Sequence, residues 1–424
     1  MKKIYVLLAA LLVSNFLSAQ VYIDCNSNRY DEEVFPNIIT TSNVTYGANT
    51  DYQGTNTTLA MDIYEPDGDT AAFRPLIVWV HGGSFVGGSK LDNDVVGLCQ
   101  HFAKRGYVCA SINYRLGIAF PYNQANATNA VFRGVQDMKA AVRYFRQDAA
   151  TSNTYRIDPD MIFGGGSSAG AFCALHLAYL DQPSEIPSTV DTVAMGGMEG
   201  TSGNPGYPSN VRAVLNLCGA MGDTAWMVPG DVPVCSMHGT ADQVVPYATA
   251  MLYLLNIFPI MVVDGSYSVN EHAMLIGVEQ SMYTFYGAPH VPYSGSVSYM
   301  DTTVRFVSNF LYRNLGCTPR DPNPVANTWN TVSVGNLSTG EHAMEIFPNP
   351  GKGHTVIRFP QAAGAFTGSS PAEMTIYDIL GNKVLAQKIS APEFELETTA
   401  WKSGVYFVKT VTGTETVIRK LIVQ

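Results

Sequence analysis

The chain has 424 residues, of which 46% are hydrophobic and only 14% charged, with a formal net charge of −10. That length exceeds one ordinary domain, and the apolar share supports at least one large core. The acidic balance and the lack of any basic run exclude a nucleic-acid surface, which needs clustered Lys and Arg against phosphate.

Residues 1–20 read as a secretory signal: Lys2-Lys3, an apolar run from Ile4 to Val13, then Phe16-Leu17-Ser18-Ala19-Gln20. Cleavage is expected close to Ala19 or Gln20. The run is too short to span a bilayer and no other segment approaches that length, so no transmembrane segment is expected in the mature chain. Residues 43–64 are rich in Thr, Tyr and Asn and end in an alternating stretch, which predicts an antiparallel edge hairpin. Pro75–Val80 is continuously apolar, as in a strand buried on both faces. Asn93–Arg105 reads as a helix closed by Gly106, Tyr107–Ile112 as a second buried strand, and Gly134–Asp148 as a helix with Val135, Met138, Val142 and Phe145 on one face.

Met161–Phe163 is a short apolar run that breaks into glycines and resumes with helical periodicity from Ala171. Further buried strands are expected at Val211–Leu217 and Val232–Met237, a helix at Tyr247–Ile257, strands at Ile260–Val263 and Met282–Tyr286, and a closing helix at Met300–Leu315. Buried strands alternating with helices specify an α/β domain, a parallel sheet covered on both faces. Its ligands belong beyond the carboxyl ends of the strands. Residues 183–210, rich in Gly, Pro, Ser and Met, read either as a lid or as a solvated connection. The organisation expected is thus signal at 1–20, α/β domain at 21–317, linker at 318–342, and at 343–424 a small β-sandwich of short alternating strands.

The glycine break holds Gly166-Ser167-Ser168-Ala169-Gly170, a G-x-S-x-G pattern. A serine on a sharp strand-to-helix turn needs small neighbours, and the next N–H, that of Ala169, can donate to an oxyanion. His81-Gly82-Gly83-Ser84-Phe85 follows the first buried strand, where Gly82 and Gly83 can aim backbone N–H groups at the same oxyanion. An ordinary turn explains either motif alone; the pair points to acyl-transfer chemistry.

A base for Ser168 must come from eight histidines. Chain order for such a sheet puts the acid and then the histidine after the serine, which removes His81 and His101. His176 lies two turns into the following helix, His238 ends a strand one turn before a better acid, and His342 and His354 lie in the linker or sandwich. Of His272 and His290, His290 is favoured because it follows the last strand at the carboxyl edge. Asp242, leaving a buried strand, is the favoured acid, although a helix N-cap is its ordinary use; Asp264 is the weaker candidate. No metal-ligand spacing appears, and this chemistry requires no metal or cofactor. Of the seven cysteines, five fall in apolar contexts and are expected as buried free thiols. Cys25 and Cys317 lie in polar surroundings at the two ends of the first domain and are expected to pair.

Across about 44–315, the motifs HGGSF (81–85), NYRLG (113–117), QDMKAAVRYFR (136–146), GGSSAG (165–170), HGTADQVVPY (238–247) and GAPHVPY (287–293) resemble the α/β-hydrolase superfamily, in particular bacterial carboxylesterases and lipases of the feruloyl-esterase-like group. The resemblance implies an α/β-hydrolase fold, a Ser168–His290–Asp242 triad, and ester hydrolysis through an acyl-enzyme. Ser84 stands where the family's third glycine is usual, so the hole's second donor is Gly82 or Gly83. The tail, with Phe347-Pro348-Asn349-Pro350, Tyr377-Asp378 with Gly381, Gly404-Val405-Tyr406 and Arg419-Lys420-Leu421-Ile422-Val423, resembles the C-terminal sorting domain of type IX secretion. This implies passage to the periplasm, transfer across the outer membrane by the type IX machinery, and removal of the tail. A carbohydrate-binding sandwich is the alternative for the tail; a peptidase of the same fold and an inactive adhesion module are the alternatives for the whole.

Overall fold

A computed structural model describes residues 23–25, 27–319 and 344–423, the last stretch with breaks at 359–371, 379–382, 390, 392 and 413–414. The signal at 1–20, nearly all of the linker at 318–342, and Gly381 lie outside the described residues. The chain separates into two compact units, Met1–Asn330 and Thr331–Gln424.

The first unit opens with β1 (Ile38–Thr50) and β2 (Asn56–Pro66), an antiparallel pair. It continues through β3 (Arg74–Val80), α1 (Asn93–Ala103), β4 (Val108–Ile112), α2 (Gln124–Ala150), β5 (Ile157–Ser167), α3 (Ala169–Tyr179), β6 (Ala213–Leu217), β7 (Ala220–Met221), β8 (Val234–Gly239), β9 (Ala250–Leu254), β10 (Phe258–Gly265), α4 (Ser266–Ile276), β11 (Gln280–Phe285) and α5 (Val297–Asn314). Eight strands form one sheet in the order β1-β2-β4-β3-β5-β6-β8-β11, parallel from β4 onward. β3 is buried at every residue, as its unbroken apolar run requires of a central strand. Apolar stripes cover both faces. Leu98 and Phe102 of α1 share a core with Val307 and Leu311 of α5, while Val135, Met138, Val142 and Phe145 of α2 join Phe172 and Leu175 of α3 on the opposite side. This is the α/β-hydrolase arrangement. A disulfide between Cys25 and Cys317 ties the ends of the unit together, and Cys99, Cys109, Cys173, Cys218 and Cys235 are buried free thiols.

One expectation needs correction. Tyr247–Ile257 is not a helix: Ala250–Leu254 is a strand, antiparallel to β10, and both belong with β7 to a separate three-stranded sheet. Leu255 and Asn256 turn the hairpin with φ of 54° and 58°. Pairing with β10 satisfies the backbone groups of this segment and overrides its local helix propensity. Residues 183–210, for which lid and solvated connection were both open, hold to the flank of the domain. Glu199 pairs with Lys139 and Arg143 of α2, Ser202 donates to Asp137, and Asn204 donates to the carbonyl of Tyr46. Among the described residues, no helix is long and apolar enough to cross a membrane.

The second unit contains β12 (Glu345–Lys352), β13 (His354–Arg358), β14 (Ala372–Asp378), β15 (Lys383–Ile389), β16 (Glu393–Glu397), β17 (Gly404–Thr412) and β18 (Glu415–Val423). The seven strands run in the order β15-β14-β17-β18-β12-β13-β16, and the sheets β15-β14-β17-β18 and β12-β13-β16, continuous through the parallel Gly351–Val423 pair of β12 and β18, form a β-sandwich in which Met374, Ile376, Val408 and Leu421 of one share a core with Ile357 and Leu396 of the other. Asn349 joins the two sheets, donating to the Lys420 carbonyl and accepting from the Ile422 N–H.

Candidate active site

The site forms where β3, β5, β8 and β11 end. Ser168 sits between β5 and α3 with φ 53° and ψ −119°, a conformation sparsely populated by side-chain-bearing residues. The flanking glycines hold it there. A Cβ on Gly166 would lie 2.1 Å from the Gly170 carbonyl, and one on Gly170 would lie 2.0 Å from the Val80 carbonyl oxygen. Only glycine lets β5, the turn and the start of α3 approach β3 this closely. Ser168 N–H donates to the Leu217 carbonyl at 2.9 Å, and the neighbouring Ser167 hydroxyl meets the Tyr293 hydroxyl at 2.8 Å, bracing the turn from β6 and from the segment after β11.

Ser168 Oγ lies 2.8 Å from His290 Nε2, and His290 Nδ1 lies 2.6 Å from Asp242 Oδ2. A carboxylate only accepts, so Nδ1 carries the proton and Nε2 is the acceptor facing the serine. The Asp242 carboxyl is fully buried. Burial alone would raise its pKa, yet hydrogen bonds from His238 and His290 outweigh that and hold it far below the usual carboxylate range. Its Oδ1 accepts from the Val244 and Val245 N–H groups at 2.8 and 2.9 Å. No helix follows Asp242, so the alternative use as a helix N-cap does not arise; in a tight turn one oxygen accepts from backbone N–H groups and the other meets imidazole.

Gly82 and Gly83 lie against the serine turn: a Cβ on Gly82 would be 3.1 Å from Ser168 Cβ. The Gly82 carbonyl is held by His81 Nδ1 at 2.7 Å and by the Tyr114 hydroxyl at 3.3 Å. In a trans peptide the next N–H, that of Gly83, points the opposite way from that anchored carbonyl. Burial lowers the His81 pKa, and its ring stacks on Tyr114 at 4.5 Å, so it serves the loop as a neutral donor. A cavity of about 440 Å³ opens over Ser168 and His290, walled by Gly82, Gly83 and Val291 and, from α1 and its approach, by Asp92 and Asp94.

The remaining candidates lie elsewhere. His272 Nε2 meets the Met227 carbonyl, His101 pairs with Glu33, and His176 bonds Phe172 and Gly222. Asp264 accepts from Thr224 and Thr249. Sequence reasoning missed two residues that touch this site indirectly, His81 and His238. Their signal was present in the first letters of HGGSF and HGTADQVVP, but both were set aside as candidate bases. Cys218, Asp242 and His290 also cluster within ligand-atom reach of one another. Burial pushes the Cys218 thiol up to about 12, so it sits there as a neutral group.

Residues 61–221 match the BD-FAE family model, and residues 345–424 match the secretion system C-terminal sorting domain. The first match covers His81 to Ala169 and stops short of Asp242 and His290. The sorting domain indicates export to the cell surface or the extracellular space. Among curated proteins, mouse carboxylesterase 3B is 34% identical over 26% of this chain and 19% of its own length. Gut esterase 1 of Caenorhabditis elegans is 25% identical over 51% of this chain and 37% of its own. The chain therefore spans about a fifth to about a third of these relatives' length. Esterase 2 of Thermogutta terrifontis superposes with a TM-score of 0.47 at 21% identity, covering 68% of this chain and 98% of its own.

Proposed function

We propose that the chain is a secreted serine carboxylic-ester hydrolase. The observation that carries this reading is the relay from Asp242 Oδ2 to His290 at 2.6 Å and from His290 to Ser168 Oγ at 2.8 Å. Ser168 Oγ attacks the ester carbonyl carbon while His290 Nε2 takes its proton, and Asp242 stabilises the imidazolium. The developing oxyanion is met by N–H groups of Ala169 and of Gly83 or Gly82. His290 returns the proton to the leaving alcohol, and the acyl group stays on Ser168. A water molecule, deprotonated by the same imidazole, then attacks the acyl-enzyme and frees the acid.

The export route proposed with it runs through the segment at 1–20 to the periplasm, then across the outer membrane through the type IX machinery, with the tail removed. The test is hydrolysis of nitrophenyl acetate, butyrate and octanoate by the full chain beside Ser168→Ala. Turnover by the wild type that disappears in the variant is expected; no turnover of any ester by folded wild type would reject the reading.

A further inference from the structure

We propose that His238 is a positioning residue of this site, sharing Asp242 Oδ2 with His290 and thereby setting both the acid's orientation and the negative charge it offers His290. The inference rests on the serine-hydrolase reading above. His238 is fully buried at the end of β8. Its Nε2 lies 3.0 Å from Asp242 Oδ2 and 3.2 Å from the Val245 carbonyl, both acceptors, so Nε2 carries a proton. On the far side of the ring, Nδ1 meets Ser266 Oγ at 2.7 Å. Ser266 in turn accepts from Asn216 Nδ2 and lies 3.0 Å from the Gly219 carbonyl.

The Ser266 hydroxyl gives this network two satisfied states. It can donate to Nδ1 of a neutral His238, or to Gly219 while Nδ1–H of a charged His238 donates to it. A histidine that merely completed a core would end its hydrogen bonds on structural partners. This one ends on the same oxygen that holds the base. With Oδ1 fixed by two backbone N–H groups and Oδ2 by two rings, the carboxylate cannot turn. The N–H of His238 also draws part of the charge that would otherwise stabilise the His290 imidazolium. The other titratable groups facing this pair are the Cys218 thiol, the Tyr293 hydroxyl, the Tyr247 ring lying edge-on at 5.7 Å, and Asp92 and Asp94 across the cavity. None of these five groups donates to Oδ2 in the hydrogen bonds described.

Removing the His238 N–H leaves Oδ2 to His290 alone. Imidazolium is then favoured, and the acid limb of Ser168 reactivity moves to higher pH. The experiment measures the rate at which a fluorophosphonate probe labels Ser168 in the full chain, from about pH 5 to about pH 9, which needs no knowledge of the natural substrate. His238→Leu, similar in bulk and without a donor, is expected to lower the plateau about tenfold or more and to raise the acid limb by about half a pH unit or more. His238→Gln, whose amide can still donate to Oδ2, is expected to stay within about threefold of wild type. A folded His238→Leu with the wild-type plateau and limb overturns the proposal, and so does a His238→Gln as impaired as Leu. If the Leu variant does not fold, Ser266→Ala decides: it frees the ring's far side, and an unchanged plateau and limb would count against the proposal. Wild type that is not labelled at Ser168 would instead reject the serine-hydrolase reading itself.

Discussion

Asp242→Asn puts the relay to its sharpest test. Both oxygens of Asp242 are committed, Oδ1 to two backbone N–H groups and Oδ2 to His238 and His290. An asparagine has one acceptor oxygen and one NH₂. Facing the NH₂ toward Val244 and Val245 would set donors against donors, so the side chain keeps its oxygen there and presents NH₂ to the imidazoles. His290 must then accept at Nδ1 and carry its proton on Nε2, the atom facing Ser168 Oγ at 2.8 Å. In that tautomer it cannot take the serine proton. Loss of the acid's role in such a triad costs about 10⁴-fold in kcat, or roughly 5–6 kcal/mol of transition-state stabilisation. Nitrophenyl acetate kinetics, with binding of the substrate read through KM, are the assay. A cooperatively folded Asn variant within tenfold of wild-type kcat would show that Asp242 does not orient His290.

Gly170→Ala would place a methyl 2.0 Å from the Val80 carbonyl oxygen, so the variant is expected to lose both activity and melting cooperativity; a normal melt and turnover would contradict the geometry of the serine turn. Replacing Cys25 and Cys317 together by serine opens a cross-link 292 residues apart in sequence, with an expected loss of about 2–5 kcal/mol in urea unfolding; an unchanged midpoint under non-reducing conditions would show that the bond adds nothing. Burial lowers the His176 pKa to about 4, below its unfolded value near 6.5. The unfolded chain therefore binds the extra proton in that window, and stability present above about pH 6.5 is lost as pH falls toward 4, by about 3 kcal/mol in all. The expected result is that His176→Gln flattens the dependence of unfolding free energy on pH between those values; an unchanged slope would mean that another group carries it. Removing residues 321–424 is expected to leave kcat/KM within about twofold, because the two units have separate cores; lost turnover in a truncated chain that melts normally would contradict that.

Much of this was legible in the sequence, and the reasons are physical. Pro75–Val80 reads as a central strand because only burial on both faces tolerates an unbroken apolar run. The serine turn is legible because its sterics leave no residue but glycine at two positions, 166 and 170. The strand at Ile260–Val263 was legible, but its hairpin partner Ala250–Leu254 was not. The hairpin's inner and outer faces are both apolar, with Leu252 and Val263 inside and Met251 and Val262 outside, so period-2 alternation is erased. The only local clue was Asn256, a residue that tolerates the left-handed turn conformation. Asp242 was legible as polar and strand-terminal, which left cap and catalytic acid as rival uses. In the fold one oxygen accepts from backbone N–H groups of a tight turn and the other meets imidazole, a division that residue type does not reveal.

The same reasoning explains why three histidines at one site needed three dimensions to be told apart. His81, His238 and His290 all sit at or just after the carboxyl ends of parallel strands, β3, β8 and β11, where the sheet's twist brings loop starts together. Composition and order can rank them as bases, but a ring's task is set by what each of its two nitrogens meets. His81 spends Nδ1 on the Gly82 carbonyl and so fixes a backbone plane. His238 spends Nε2 on Asp242 and Nδ1 on Ser266, so it has no face left for substrate. Only His290 has one nitrogen on the acid and the other on the serine, at the edge of the cavity and partly exposed. A proton can therefore move through His290 without breaking the contacts that hold the other two, which is the physical condition for a base that must cycle while its surroundings stay still.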